Sequence, residues 1–198
     1  MKKSLGTDGQ IDKLSQAMKM ANDASTSKNY VERIGALTLY AGITDFLVIQ
    51  AARLVEQIIL KGQLADGGTP GFEPHEDQYF YDEQVSTRHT LREIKKLLPF
   101  KASNPAQSSQ AERVTDLAGV MIDKGINFLN YRNPIIHQIG SPRTSFDKLL
   151  TLCDKAISAF QDFREAHQAF FEAAAPYRFG QAELDRVYGP KEERESAT

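Results

Sequence analysis

Apolar residues recur along this chain at intervals of three and four, the spacing of one buried face of an α-helix. The longest such pattern begins after Asn29, which with Glu32 resembles a helix-capping pair. A central helix is therefore predicted over residues 29–62. Its main stripe comprises Ile34, Leu37, Ala41, Thr44, Val48, Ala51, Val55 and Ile58, and a second stripe comprises Tyr40, Ile43, Leu47 and Leu54.

Two further helical patterns follow a segment rich in Gly and Pro. That segment, residues 62–82, is predicted to be a long loop because these residues break regular structure. A helix is predicted over residues 83–98, ending before Pro99. The next helix opens at Ser109 in capping-box spacing, and four residues beyond its stripe stands Arg132. The stripe comprises Val114, Ala118, Met121, Gly125 and Phe128.

The last long helix is predicted over residues 145–175, with Thr144 and Asp147 in capping-box spacing at its start. No run of alternating apolar and polar residues with β-branched enrichment occurs anywhere in the sequence. The sequence therefore predicts an all-α fold, an antiparallel helical bundle of four to five long helices. The stripe of this helix comprises Phe146, Leu149, Cys153, Ala156, Phe160, Phe163, His167, Phe170 and Ala174.

The length of 198 residues suits one sizeable core with additions at both ends. Residues 1–28 are predicted to form an N-terminal extension with a short amphipathic helix. Residues 29–175 are predicted to form the bundle. Residues 176–198 are predicted to form a partly mobile tail with one weak helical piece around residues 181–188.

Charge argues against a protein that binds nucleic acid over its whole surface. The formal net charge is -2, so no global positive field is present and no DNA partner is expected. An acidic stretch, residues 71–83, precedes a local basic patch. The patch suits RNA binding, although an ordinary solvated helix face has the same composition. It comprises Arg88, Arg92, Lys95, Lys96 and Lys101.

Cysteine usage and hydropathy favour a reduced cytoplasmic setting. The single cysteine, Cys153, excludes an internal disulfide framework. The most apolar segment, residues 43–60, is interrupted by Asp45, Arg53 and Glu56, which makes a membrane span costly. The basic start of the chain is followed by polar residues, unlike a signal peptide. A soluble cytoplasmic protein with no membrane partner is therefore expected.

One short segment combines residue types that can act in catalysis, in the order Arg132-Asn133-Pro134-Ile135-Ile136-His137. The strict pattern Arg-Asn-x-x-x-His is expected by chance about 0.007 times in a chain of this composition. A loose pattern, an Arg and a His with any four to six residues between them, is expected about 0.7 times. Pro134 disfavours a helical conformation at Asn133, so a helix break is predicted just after Arg132. An unbroken helix would separate positions 132 and 137 by about 140°. A break would let both side chains reach one cleft.

These residue types suit RNA cleavage without a metal. His137 is suited to act as general base or acid near neutral pH, because an unperturbed histidine has a pKa of about 6.5. Arg132 is suited to bind phosphate oxygens and offset the charge that develops on phosphorus. Asn133 is assigned to orienting the histidine or holding a phosphate oxygen. The motif contains no carboxylate, and no His or Cys pair elsewhere has ligand spacing, so no metal or cofactor is expected.

The segment resembles the R-N-x-x-x-H signature of the HEPN superfamily. The resemblance implies a helical bundle that forms a homodimer and a metal-independent ribonuclease of toxin–antitoxin, phage-defence or RNA-processing systems. Two motifs in one groove would supply both a base and an acid, and the products would carry 2′,3′-cyclic phosphates. An antitoxin or regulatory protein is a further implied partner. Some members carry a modified tyrosine two residues after the histidine; this chain has Ile139 there.

Structural roles remain alternatives for these residues. Arg132 would serve as a last-turn cation that binds helix C-terminal carbonyls, and His137 as a hydrogen-bonded histidine at a bundle end. The chain would then be a non-catalytic helical module that binds RNA, a nucleotide or a protein partner. Asp45, an acid in an apolar helix, is interpreted as facing solvent, with an ion pair to Arg132 as the alternative. His167 is interpreted as a core histidine.

Overall fold

A computed structural model of the chain describes most residues between 8 and 174. The predicted loop at residues 62–82 lies outside the described part except for its first two residues. The acidic stretch and the predicted tail at residues 176–198 also lie outside it. The described ranges are 8–63, 85–102, 105, 108–138 and 145–174.

The described residues form five α-helices and no β-strand, which confirms the predicted all-α helical bundle. The first helix has 18 residues, whereas a short helix was predicted within residues 1–28, and it packs along the second helix. The third helix has only ten residues. The helices are α1 (Asp8–Ser25), α2 (Tyr30–Gln63), α3 (Thr87–Lys96), α4 (Ser108–Gln138) and α5 (Phe146–Ala174).

Polar side chains fix the starts of α2 and α5. The N–H of Val31 donates to Asn29 Oδ1 at 3.0 Å, and Asn29 Nδ2 donates to Glu32 Oε1 at 3.4 Å. This confirms the predicted capping pair. At α5 the cap is Ser145, one residue later than predicted, and its Oγ accepts from the Lys148 N–H at 3.4 Å.

Helix α3 is shorter than the predicted 83–98 at both ends. It begins at Thr87 because the side chain of Ser86 caps it by accepting a hydrogen bond from the His89 N–H at 3.3 Å. It ends at Lys96, where the N–H of Leu97 turns back to carbonyls of the last helical turn. The N-terminus of α3 lies beside α2 and α4.

The predicted apolar stripes form the core. In α2 both stripes are buried except for Ile34, which is half-buried, and the stripe of α4 is buried throughout. In α5 the prediction is wrong for Phe146, which is 50% exposed. This residue opens the helix at the end of the bundle, where its ring and the Tyr30 ring meet in a T-shaped arrangement with centroids 4.6 Å apart.

An aromatic junction joins four of the helices. Tyr40 of α2 stacks on Phe160 of α5 with ring centroids 4.0 Å apart. Phe128 of α4 meets the same Phe160 ring edge-on at 5.5 Å. The Tyr40 hydroxyl donates to Asn22 Oδ1 of α1 at 2.8 Å, so the polar end of this buried side chain is paired.

Polar contacts between α4 and α5 define their relative direction. Near one end, Gln110 Nε2 donates to the carbonyl of Ala173 at 3.0 Å. Further along, Lys124 Nζ pairs with Asp162 at 2.7 Å. Residue numbers rise on one helix as they fall on the other, so the two helices are antiparallel, as predicted for a bundle.

Within the described ranges, one helix is long and apolar enough to cross a membrane by length and composition alone, α2 over Tyr30–Ile59. Core helices of soluble proteins pass the same test. In this structure the two apolar stripes of α2 are covered by other helices. The length and composition of α2 are thus weak evidence for a membrane span.

Two helical glycines give opposite predictions for substitution by alanine. A Cβ at Gly42 would meet nothing within 4 Å, so Gly42→Ala should raise the free energy of unfolding by about 0.5–1 kcal/mol. A Cβ at Gly125 would lie 3.0 Å from Leu91 and 3.1 Å from Phe163. Overpacking there should outweigh the gain in helix propensity, with a net loss of about 1 kcal/mol. Urea unfolding of both variants tests the difference, and equal effects would contradict the close approach.

Candidate functional site

A cleft of about 630 Å³ lies where α2, the start of α3 and the end of α4 meet. Its volume is typical of small-molecule sites. One part of its lining is apolar and another is polar. The apolar residues are Ala41, Val48, Ile49, Val85 and Leu129, and the polar residues are Asp45, Ser86, Thr87, Arg88, Thr90, Arg132 and Asn133.

Arg132 reaches the cleft from the buried stripe of α4. It lies four residues after Phe128 and three before Ile135, and both neighbours are 0% exposed. Its Nη1 donates to Asn133 Oδ1 at 3.1 Å. Its Nε is buried and has no hydrogen-bond partner among the described residues. A buried unpaired donor costs about 1–3 kcal/mol, so an added acceptor would stabilise this side chain.

Helix α4 continues through Pro134 to Gln138, so the predicted break after Arg132 is wrong. Pro134 is exposed and removes only one helical hydrogen bond, the one to the carbonyl of Asn130. Ile135 is fully buried on the core stripe. Its burial favours an unbroken helix and offsets the cost of the proline.

The continuous helix bears on the roles of both motif residues. Six helical residues follow Arg132, which excludes its interpretation as a last-turn cation. The described backbone places position 137 about 140° around the helix axis from position 132. The two positions therefore do not share a helix face. The side chain of His137 lies outside the described part of the chain.

Arg88 joins Arg132 at the cleft. It lies in the first turn of α3, and its Nη2 donates to Asn130 Oδ1 of α4 at 2.8 Å. Four residues of the basic patch lie on α3 and are predicted to bind substrate, and Arg88 alone of these four lines the cleft. The four are Arg88, Arg92, Lys95 and Lys96. Asp45 is exposed at the same cleft and accepts a hydrogen bond from Thr87 Oγ1. No ion pair joins it to Arg132 in the described structure, in agreement with its interpretation as a solvent-facing acid.

The other predicted basic residues lie on α3 beyond the cleft. Lys95 pairs with Asp123 of α4 at 2.7 Å, and Lys96 pairs with Glu93 at 2.7 Å. The hydrogen bond from Lys96 lowers the pKa of the Glu93 carboxyl. Arg92 is exposed. Two of these three cations are thus already paired with carboxylates.

Two side chains of types that can act in catalysis, Cys153 and His167, lie in the core. Cys153 is fully buried, and burial raises the pKa of its thiol, which keeps it protonated and unreactive. His167 is also buried, with its ring stacked on Phe171 at 5.5 Å, as expected of a core histidine. Within the described ranges, no three His, Cys, Asp or Glu side chains are grouped so that they could hold a metal ion.

On the α3 side of this cleft, sequence reasoning singled out Arg88 but missed Ser86 and Thr87. Ser86 and Thr87 stand 45 residues or more before the motif, and only the fold brings them to it. The available signal was Ser86, a residue type common at helix N-caps, whereas the helix was predicted to begin at residue 83. The sequence showed Asp45 as an acid in an apolar helix, but it did not show which residues of other helices lie beside it.

Comparisons of this chain with protein-family models, with characterised proteins and with solved structures find no match. The resemblance to the HEPN superfamily therefore depends on the sequence motif.

Replacement of Pro134 tests the continuity of α4. In Pro134→Ala the new N–H can pair with the carbonyl of Asn130, so the free energy of unfolding should rise by about 1–3 kcal/mol. Urea unfolding measures the change, and helix content by circular dichroism should not fall. A loss of stability would show that the backbone here needs the proline and is not an ordinary helix.

Proposed function

We propose that this chain is a metal-independent endoribonuclease of the HEPN type, in which Arg132 binds an RNA phosphate and His137 transfers protons. The observation that supports it best is the buried Nε of Arg132, which has no described partner and lies beside an open cleft. That arginine is also the first residue of the strict motif. A phosphate oxygen is the acceptor that such a guanidinium binds best.

Several donors beside Arg132 suit a phosphate. Arg88 uses one guanidinium nitrogen for Asn130, which leaves its other N–H groups for a ligand. The N-terminus of α3 opens onto the cleft at Ser86, and a helix N-terminus has a partial positive charge. The amide of Asn133 adds a neutral donor. These groups would hold a phosphodiester and offset the charge that develops as it reacts.

In the proposed reaction a histidine takes the proton of the 2′-hydroxyl, and the 2′-oxygen attacks phosphorus. The bond from phosphorus to the 5′-oxygen breaks, and the protonated histidine of the other chain donates a proton to that oxygen. The products are a 2′,3′-cyclic phosphate and a free 5′-hydroxyl. Because positions 132 and 137 of one α4 face different directions, the complete site is assigned to a homodimer, with His137 supplied across the interface.

The proposed setting is the cytoplasm, in a toxin, phage-defence or RNA-processing role, with an antitoxin or regulatory protein that restrains the enzyme. A second candidate is a non-catalytic module that binds RNA, a nucleotide or a protein partner. The separation of positions 132 and 137 on one helix favours this second candidate if the chain acts as a monomer.

Substitution within the motif tests catalysis. His137→Ala should lower the rate of RNA cleavage about 10²- to 10⁴-fold because the proton transfers lose their group. Arg132→Lys keeps the charge but loses the planar fork, and should lower the rate about 10²-fold. Wild-type activity should persist in EDTA. Cleavage of defined RNAs, with mapping of the cut ends, measures all three effects.

Matched controls are available on exposed helix faces. His89→Ala removes an exposed histidine of α3 that does not line the cleft. Arg113→Lys changes an exposed arginine 19 residues before Arg132 on α4, about 28 Å away along the helix. Both controls should cleave at the wild-type rate. Unchanged cleavage by His137→Ala, with unfolding like the wild type, would contradict the assignment of the proton transfers to His137, and absence of cleavage by the wild type would favour the non-catalytic candidate.

Mixing two inactive variants tests the shared site. Arg132→Ala and His137→Ala homodimers each lack one kind of group at every site. A mixed dimer retains one arginine and one histidine, so co-refolded or co-expressed chains should regain part of the wild-type rate if the groups meet across the interface. Absence of any regain, with mixed dimers present by differential tagging, would contradict the composite site.

A further inference from the structure

We infer that the cleft selects a nucleotide whose base has hydrogen-bond donors on its pairing edge, guanine above all, and that Asp45 is the residue that reads the base. The inference deepens the proposed function, since it assigns a base preference to the same site. It depends on the distribution of charge and apolar surface around the cleft. It does not depend on whether RNA is cut.

The charges at the cleft are divided between helices. Asp45 lies on α2, whereas Arg132 lies on α4 and Arg88 on α3. No ion pair joins the carboxylate to either arginine in the described residues, so all three charges are available to a ligand. A phosphate is attracted to the arginines and repelled by Asp45. A bound nucleotide therefore has its phosphate at the arginines and its base towards Asp45.

The rest of the lining suits a base. Val48 and Ile49 of α2 and Leu129 of α4 give the cleft apolar surface. An aromatic base can lie against such side chains while its edge meets polar groups. The volume of about 630 Å³ lies within the range of sites that enclose small molecules. The cleft thus offers one surface for the base and one for the phosphate.

The carboxylate of Asp45 is held in a defined orientation. Thr87 Oγ1 donates to Asp45 Oδ1, which connects α2 to the first turn of α3. An ionised carboxylate has about four lone-pair sites and only accepts hydrogen bonds. One of these sites is used by Thr87, and Oδ2 accepts no hydrogen bond from a described residue. The remaining lone-pair sites of the carboxylate are available to accept hydrogen bonds from a ligand.

The four RNA bases differ in what they offer to such an acceptor. Guanine presents two adjacent donors, N1–H and the N2 amino group, which match the two oxygens of a carboxylate. Adenine and cytosine each present one amino donor beside an acceptor nitrogen. Uracil presents N3–H between two carbonyl oxygens that repel a carboxylate. The expected order of affinity is guanine first, adenine and cytosine next, and uracil last.

Binding of nucleoside monophosphates to the full chain tests this order. Titration calorimetry with GMP, AMP, CMP and UMP should give a Kd for GMP about tenfold lower than that for UMP, the discrimination expected of a bidentate pair. In Asp45→Asn the ratio of the UMP Kd to the GMP Kd should fall from about ten to about one, because the amide offers a donor to uracil and only one acceptor to guanine. The asparagine can still accept the hydrogen bond from Thr87, so the fold is retained.

A control separates base reading from loss of charge. Loss of the negative charge in Asp45→Asn changes the affinity for all four nucleotides by a similar factor, and this contribution cancels in the ratio of the UMP Kd to the GMP Kd. That ratio is therefore the readout of base reading. Asp116→Asn removes an exposed carboxylate of α4 that does not line the cleft, and should leave the ratio unchanged. Equal affinities in the wild type, or an unchanged ratio in Asp45→Asn, would overturn the inference.

The binding experiment and the cleavage experiment test the two proposals independently. If the order of affinities holds but no RNA is cut, the ribonuclease proposal fails and the base-reading site remains. If RNA is cut by a process that needs His137 while the four nucleotides bind equally, the ribonuclease proposal stands and Asp45 does not read the base.

Discussion

The burial of one continuous stripe on α4 is the constraint on which the cleft depends. Phe128 and Ile135 are both fully buried, and they lie seven residues apart on the same face. Satisfying both requires the helix to stay regular between them, through Pro134. Arg132 stands between the two on that face, so its aliphatic stem must lie at the edge of the core. Its guanidinium reaches polar groups at the cleft.

The rest of the bundle holds α4 in place against its neighbours. Gly125 allows α3 and α5 to approach α4 to within van der Waals contact, and the ring of Phe160 connects α4 to α2. Arg88 and Lys95, seven residues apart on α3, both bond to side chains of α4, which aligns the two helices. The position of the α3 N-terminus beside Arg132 follows from these contacts. The site is thus a product of packing between three helices and not of the motif alone.

The sequence predicted the parts of this structure that depend on local patterns. The stripes of α2, α4 and α5 follow from their spacing, and the start of α2 follows from Asn29 and Glu32. The path of α4 through Pro134 was predicted wrongly, because the local preference of a proline is overridden by burial of Ile135, a tertiary effect. The contact between Asp45 and Thr87 joins residues 42 positions apart, and no local pattern encodes it.

The continuous helix also changes what the motif means chemically. In a broken helix, Arg132 and His137 of one chain would converge, and a monomer could place both at one phosphate. On an unbroken helix they lie about 140° apart, so a single α4 presents the two positions to different surroundings. In the proposed two-fold dimer, the arginine of each chain would lie close to the histidine of its partner, so no single α4 would have to bring the two groups together. The continuous helix is therefore the reason why the proposed catalytic site is assigned to an interface between two chains and not to one α4.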